Sequence, residues 1–535
     1  MEQSGSKRVS DSTSAWSPLR LPIYRALWLA SVASNIGTWM HEVANAWLMT
    51  TLTSSPLLVA LIQTAEAMPI FALALPAGAL ADVMDRRKLL LITQTWMLLV
   101  ASALGAVTLA GAMTPNLLLI LTAAMGAGVS LNMPAWQAIT PELVGSKELA
   151  SAVALGGVGL NLARVVGPAV GGLLVAAIGP GFVFLLNSAS FVGVIIVLRQ
   201  WRRNPKPGTL PAEDIMGAMR AGVRYMRYSP KFQAVLVRTG SVVLCSSAMW
   251  ALLPVIARHE LGVGAAGYGV ILGCLGCGAV TGAAVLPGLR RRFSVDLLTA
   301  CAAILTAGVL LVLSFFPIFS AVMGVMFLAG VAHMTLLSSF NVAAQQSVAA
   351  WVRARSLAVY LLIFQGAMAL GGFVWGAVAG HASVALALIA AALGLMVSLA
   401  AVPKFQLESD DMELTPSQHW PVPVVVPETQ HDDGPVLITV EYRVDPTQRA
   451  DFSAATRKLR LSRLRDGAIR WGLYCDMMDN TRFVETFIVE SWVEHLRQHE
   501  RATKEDKHAE DAVIAFHRGT GPPTVTHYSG ALLFK

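Results

Sequence analysis

The sequence predicts an all-α polytopic membrane protein, twelve transmembrane helices in two six-helix repeats, followed by a small α+β domain on the cytoplasmic side. Three observations predict it. From Tyr24 to Val402, apolar runs of bilayer-spanning length alternate with short loops. Lys and Arg gather in alternate loops only. After Pro403 the composition turns acidic and proline-rich, and then shows strand and helix periodicity. With 55% hydrophobic and 14% charged residues over 535 positions, the chain has more apolar surface than a water-soluble protein hides.

Taking the elements in order, Met1–Arg20 is a polar tail with Lys7 and Arg8. It lacks an apolar core followed by a small-residue cleavage site, so no removable signal peptide is expected and the first span stays. Spans of about twenty residues or more fall near 24–50, 55–80, 87–111, 115–138, 149–178 and 181–200, one six-helix bundle within residues 21–200. A second bundle within 233–403 has spans near 233–257, 265–288, 295–315, 317–342, 355–380 and 384–402. The basic residues sort by loop. Arg86, Arg87, Lys88, Lys147, Arg199, Arg202, Arg203, Lys206, Arg220, Arg224, Arg227, Arg290, Arg291, Arg292, Arg353 and Arg355 fall on one side, and only Arg258 on the other. That asymmetry places both termini in the cytoplasm and makes residues 201–232 a cytoplasmic connector. Within it, Ala212–Met226 has the spacing of a helix lying along the membrane surface.

The net charge of +7 resides in loops rather than on one face with interleaved aromatics, which argues against nucleic-acid binding. Four of five cysteines lie in apolar runs, so no metal or redox centre is expected, and no cofactor is implied. No ATP-binding loop or filter-like repeat is present, which disfavours an ATP-driven pump or an ion channel.

An offset of 209 positions brings Asn132 onto Asn341, Gln137 onto Gln346, Gly167 onto Gly376 and Gly171 onto Gly380. Such internal repeats are how many secondary carriers are built, with substrate held between halves near the midplane. The segment Gly78, Leu80, Ala81, Asp82, Arg86, Arg87 resembles the loop motif between helices 2 and 3 of the major facilitator superfamily, with Val83 where a basic residue is usual and Asp85 where glycine is usual. The resemblance implies a gating loop latched by Asp82 with Arg86 and Arg87. Gly167, Pro168, Gly171 and Gly172 form GPAVGG, similar to the second part of the superfamily's antiporter motif, with Ala154 and Ala163 at two of its glycine positions. Glycines at this spacing let two backbones touch, and proline bends a helix. PAWQAITPELV, LNLARVVGPAVGG and FVFLLNSASFVGV within 133–203, and WVRARSLAVYLLIFQGAMALGGFVWG at 351–376, resemble the branch of bacterial enterobactin exporters and macrolide efflux proteins, the transmembrane secretion effectors. This implies a bacterial cytoplasmic (inner) membrane transporter, not an enzyme, working outward.

Charge near a bilayer centre costs at least about 2.5 kcal/mol and marks function. Glu66 and Arg164 lie near the middle of helices 2 and 5, and Glu42 about 9 Å outward of the centre of helix 1. Asn35, Thr38, Glu42 and Asn45 share one helix face, while Gln63, Gln94 and Asn161 add polar groups at similar depth. Glu66 or Glu42 is expected to carry a proton and to pair with Arg164, although a purely structural Glu66–Arg164 pair fits the same residues. His333 is a further candidate. In the second half Ser246, Ser247, Trp250, Ser338, Ser339 and Asn341 suggest an uncharged lining for an amphipathic substrate.

Residues 404–434 read as an extended linker. Beyond them, strands at 436–444, 469–477, 482–490 and 525–534 and helices at 447–465 and 491–517 give the order βαββαβ of a ferredoxin-like domain over 435–535. Its size and SWVEHLRQHE resemble dimeric α/β-barrel proteins that include antibiotic-biosynthesis monooxygenases, implying a homodimerisation module or, alternatively, a small enzyme. His495 and His499 are one turn apart, with His508 and His517 beyond; lacking a completing cysteine or carboxylate, they read as a solvated helix face rather than a metal site. The whole fits a proton-coupled exporter of small amphipathic molecules (siderophore, macrolide or other drug-like compounds) by alternating access, with a facilitator-type importer or a carrier-derived sensor as alternatives.

Overall fold

The computed structural model describes residues 16–145, 148–201, 215–316, 318–407, 413–417, 419–420 and 434–530. Most of the tail, connector residues 202–214 and most of the linker lie outside the described residues; of Asp82 only the backbone is described. The chain divides into two compact units: Met1–Leu210 with Arg238–Ser339 and Leu361–Val402, and Pro211–Val237 with Phe340–Tyr360 and Pro403–Lys535.

In the first unit, α1 (Pro22–Leu52), α2 (Pro56–Val83), α3 (Arg86–Leu109), α4 (Pro115–Leu143), α5 (Leu149–Ile178) and α6 (Pro180–Gln200) form the first six-helix half. After α7 (Ile215–Tyr228), the second half comprises α8 (Pro230–Val255), α9 (Ala265–Arg290), α10 (Val295–Phe315), α11 (Phe319–Gln346), α12 (Arg353–His381) and α13 (Val384–Leu399). Ten of these twelve, among the described residues, have the length and composition of membrane spans. The polar face of α1 lowers its hydropathy, and α13 has only 16 residues; both still pack into the bundle, α1 on α5 and α6, α13 on α10. Local chemistry sets the boundaries. Prolines open α1, α2, α4 and α6, where the missing N–H costs nothing. Ser55, Asp85, Thr114, Ser294 and Ser383 cap helices by accepting a backbone N–H. Gly179, at φ +85°, makes the turn from α5 to α6. Leu27, Leu89, Leu90, Ala135, Ile139, Val194 and Leu198 form one apolar cluster that ties α1, α3, α4 and α6 together.

The second unit contains a four-stranded antiparallel sheet: β1 (Val436–Arg443), β2 (Arg470–Cys475), β3 (Arg482–Val489) and β4 (Thr524–Ser529), in the order β2-β3-β1-β4. Val436 faces Val489 on one side and Ser529 on the other. With α14 (Arg449–Asp466), α15 (Trp492–Arg501) and α16 (Lys504–Ile514) on one face, this is ferredoxin-like topology. Ile438, Val440, Tyr442, Phe452, Leu459, Phe483, Phe487 and Val513 fill the core. The single helix expected at 491–517 is two, because Thr503 starts α16 with a capping box closed by Asp506. The strand expected to reach Phe534 ends at Ser529, and residues 531–535 lie outside the described ones. The connector helix α7, expected at the membrane surface, turns Gly222 and Tyr225 onto protein: Tyr225 is buried and α7 packs on α14.

The histidine reading needs correction. His495 is 2% exposed, and its Nε2 lies 3.0 Å from His527 Nε2 and 3.3 Å from His499 Nε2. Helix spacing placed His495 and His499 on one face but could not reveal that β4 and Trp492 cover that face. Burial, together with the neighbouring imidazoles, lowers His495 to about 3 and His499 to about 4. A residue whose folded pKa lies below its unfolded value of about 6.5 binds fewer protons when folded, so its stabilising contribution is present above that value and is lost as pH falls toward the folded pKa. The domain should therefore lose on the order of 1 kcal/mol from His495 between pH 7.5 and 5. Pulse proteolysis of the full chain in urea should show that loss in the wild type and a flatter pH dependence in His495→Phe.

Candidate functional site

The polar face of α1 opens onto a cavity of about 230 Å³. Thr38, His41, Glu42 and Asn45 of α1 line it with Gln63, Glu66, Ala67 and Ile70 of α2, Thr122, Met125, Gly126 and Val129 of α4, and Gln365 and Met368 of α12. The i, i+3, i+4 spacing puts Thr38, Glu42 and Asn45 of α1 on the cavity face, and Gln63 and Glu66 of α2 line the same space. Two carboxylates meet here among aliphatic and thioether groups.

The hydrogen bonds differ from the expected pairing. Asn45 Nδ2 donates to Glu66 Oε1 at 3.4 Å and to Thr122 Oγ1 at 2.9 Å. The Glu66–Arg164 pair is not among the ion pairs of the described residues; Arg164 instead lies over the Trp39 ring, 5.6 Å from its centroid. From there it is within electrostatic reach of Glu42 and of His333, and Glu42 is within reach of Glu66. Gln63 Nε2 donates to Met368 O at 2.8 Å, and Thr64 Oγ1 to Ala369 O at 2.8 Å, which ties α2 to α12 across the two halves. Asn161 donates to Gly157 O of its own helix, and Asn35 is half-buried on α1; neither lines the cavity. Trp250 and His333 pack edge to face at 5.4 Å in the second half, also outside its lining.

Sequence reasoning missed His41, which is buried against Phe184 at 4.7 Å with Nδ1 lacking a protein partner. It also missed Tyr268, stacked on Trp47 at 6.0 Å, with Arg258 over the other ring at 5.5 Å. Aromatic neighbours from distant helices leave no local signal. Arg238 did leave one, a charge inside an apolar run; it is buried, paired with Asp296, and donates to Thr299 Oγ1 at 2.7 Å. The residues expected to form an uncharged lining in the second half do not line this cavity. Ser338 and Ser339 accept from Arg290 at 3.1 and 3.2 Å, and Ser246 and Ser247 donate to carbonyls of their own helix.

Two motifs take definite shape. Asp85, where a glycine is usual, caps α3 by accepting from Lys88 N at 3.0 Å, so the α2–α3 turn is held by a hydrogen bond instead of by glycine's freedom. Arg86 pairs with Glu142 of α4 at 2.7 Å, and Arg87 donates to Leu198 O and Arg199 O in the last turn of α6. Arg290 on Ser338 and Ser339 of α11 repeats the Arg86-to-α4 contact in the second half. In GPAVGG, Gly167 lies against Trp39 of α1, and a Cβ at Gly171 would meet Met40 Cα at 2.8 Å. A Cβ at Gly172 would meet Gly269 Cα of α9 at 2.6 Å, across the two halves. Gly371 and Gly372 of α12 mirror this: the first lies against Ser247 of its own half, the second against Thr64 Oγ1 of α2 at 2.8 Å.

A family described as transmembrane secretion effector matches residues 13–531, a range that takes in the α+β domain. The enterobactin exporter EntS of Escherichia coli O1:K1 / APEC is 28% identical over 324 residues, 59% of this chain and 75% of that protein. EntS of Shigella boydii serotype 4 (strain Sb227) is 28% identical over 267 residues, 49% of this chain, so the match spans 62% of that relative's length. A bacterial homolog of the human lysosomal transporter Spinster, inward-facing and occupied, superposes with a TM-score of 0.57 at 16% identity, over 72% of this chain and 97% of that one. The nucleoside transporter NupG gives 0.57 at 13% identity, over 72% and 99%. At these identities the solved structures speak for the fold alone.

The glycine contacts predict a graded effect. Gly172→Val should cost about 1–3 kcal/mol because neither backbone can yield easily, whereas Gly308→Ala, with open space around it, should stay within about 0.5 kcal/mol of wild type. Thermal unfolding of the purified protein in detergent distinguishes the two.

Proposed function

The chain belongs to the transmembrane secretion effector family, transporters of the major facilitator superfamily, and on that footing we propose that it exports small amphipathic molecules in exchange for protons. The observation that carries the reading is the cavity lined by α1, α2, α4 and α12, where Glu42 and Glu66 share one space with Ile70, Met125, Val129 and Met368. Apolar walls with a few converging polar groups suit an amphipathic ligand. A carboxylate in such a space can hold a proton in one state and release it in another. Arg164, within charge reach of Glu42, supplies a counter-charge whose hold on the carboxylate changes as helices rock apart, and proton and substrate compete for the same space. Export is supported by GPAVGG packed at the crossing of α5 with α1 and α9, and by the named activity of the EntS relatives; a siderophore or macrolide fits the cavity's mixture of groups. Asp82, Arg86 and Arg87 are assigned to the gating loop.

The same reading puts the protein in the bacterial inner membrane with both ends in the cytoplasm, on the strength of basic clusters at one set of helix ends and Arg258 at the other. In everted vesicles, Glu66→Gln and Glu42→Gln should each cut protonophore-sensitive accumulation of enterobactin, erythromycin or a cationic dye by about tenfold, and added protease should reach the α+β domain. Full proton-dependent transport in both variants would sink the coupling scheme.

For the α+β domain we favour homodimer formation over turnover. Leu437, Val484, Ile488, Tyr474 and Tyr528 lie on the sheet face opposite the core residues, with Tyr474 and Tyr528 57% and 52% exposed. Leu437→Asp with Ile488→Asp should halve the mass that light scattering gives for the detergent-purified protein; an unchanged monomeric mass in both forms would refute pairing through this face.

A further inference from the structure

Within the second unit, the α+β domain is joined to two other segments of the chain by charge-assisted and aromatic contacts. On the connector side, Arg224 of α7 donates to Glu494 Oε1 of α15 at 3.0 Å and to Arg465 O at the end of α14 at 3.3 Å. Next to it, the Arg465 guanidinium lies over the Tyr225 ring at 5.5 Å. On the side of the α11–α12 turn, Arg501 stacks over Trp351 at 4.5 Å while its N–H groups donate to Glu494 Oε1 at 2.6 Å and to Asp466 O at 2.8 Å. Tyr225 closes the triangle. Its hydroxyl donates to Ser347 O at 3.3 Å and accepts from Ala349 N at 3.2 Å, and its ring meets Trp351 edge on at 6.0 Å. Gly222 sits where a Cβ would press on Arg355 Cβ at 3.2 Å.

Glu494 is the shared element. It holds Arg224 and Arg501 together, and both guanidiniums are mostly buried, so loss of the carboxylate leaves two cations without their counter-charge. The positive charges cannot simply turn to water: Arg501 is pinned by Trp351 and Asp466 O, and Arg224 by Arg465 O. α7 lies in the stretch of chain that joins the six-helix halves, and α11 and α12 run on from the clamped turn into the second half.

We propose that the α+β domain is a regulatory lever on the carrier: through Glu494, Arg501 and Trp351 it holds the connector helix and the α11–α12 turn as one body, and the state of that clamp sets how readily the central cavity opens. This rests on the transporter reading of the bundle, so the test uses a readout that needs no substrate. In a background with the native cysteines replaced by serine, Thr38→Cys reports opening through its rate of labelling by a membrane-impermeant maleimide in detergent-purified full chain. Hydrogen exchange of residues 222–226 and 346–352 reports the clamp itself. Glu494→Gln, Arg224→Gln and Trp351→Ala should each raise exchange in both segments by about tenfold and change the labelling rate by about threefold or more. Arg224→Gln and Trp351→Ala lie outside the domain, so they bear on the clamp even where Glu494→Gln fails to fold. Faster exchange with an unchanged labelling rate would make the domain a passive tether and overturn the proposal, as would unchanged exchange in all three. Absence of transport in vesicles alongside altered labelling would count against the exporter assignment alone.

Discussion

The arrangement depends on α5 touching two helices at backbone distance. In lipid, helices gain little from burying apolar surface, and association comes from close van der Waals contact, which small residues permit. Gly167 and Gly171 bring α5 onto α1; Gly172 brings it onto Gly269 of α9. The first contact places Trp39 under Arg164 and so puts a guanidinium within reach of Glu42. The second joins the halves. A bulky residue at any of these positions would shift the helix that carries the cation and the wall of the cavity together, so packing and site chemistry are one constraint.

The halves repeat this logic with different atoms. Gly371 and Gly372 of α12 divide their contacts between their own half and α2 just as Gly171 and Gly172 divide theirs between α1 and α9. Each half also carries an arginine at the end of its second helix or the start of its third that reaches the fourth: Arg86 to Glu142, Arg290 to Ser338 and Ser339. The partners are a carboxylate in one case and hydroxyls in the other, which leaves the second contact weaker and more easily exchanged. Arg87 adds a cation at the carbonyl end of α6, where the helix dipole favours it.

Much of this was legible in the residues. Span positions followed from length and apolar content, and the face Thr38–Glu42–Asn45 from helical spacing, since both are properties of one helix. Partners between helices were not. Arg164 was the partner expected for Glu66 by depth, and the structure gives it Asn45, because α2 and α4 pack against each other and bring Thr122 in to orient that amide. The buried Arg238 was visible as a charge in an apolar run, but Asp296, at the start of another helix, was not an evident match. His495 and His499 read as solvent-facing because the strand covering them lies nearly thirty residues away in the chain.

One feature of the α+β domain bears on how it can be dissected. Residues 413–417 and 419–420, which composition assigns to linker, are stitched onto the helical layer: Lys504 N donates to Thr415 O at 3.0 Å, Ser417 N to Ala502 O at 2.9 Å, and Trp420 Nε1 to Glu510 Oε2 at 2.9 Å, with the Arg463 guanidinium stacked over the indole at 4.7 Å. A fragment cut at residue 435 would strip the indole from Arg463 and leave Glu510 short of a donor. A piece that keeps these contacts begins before Glu413.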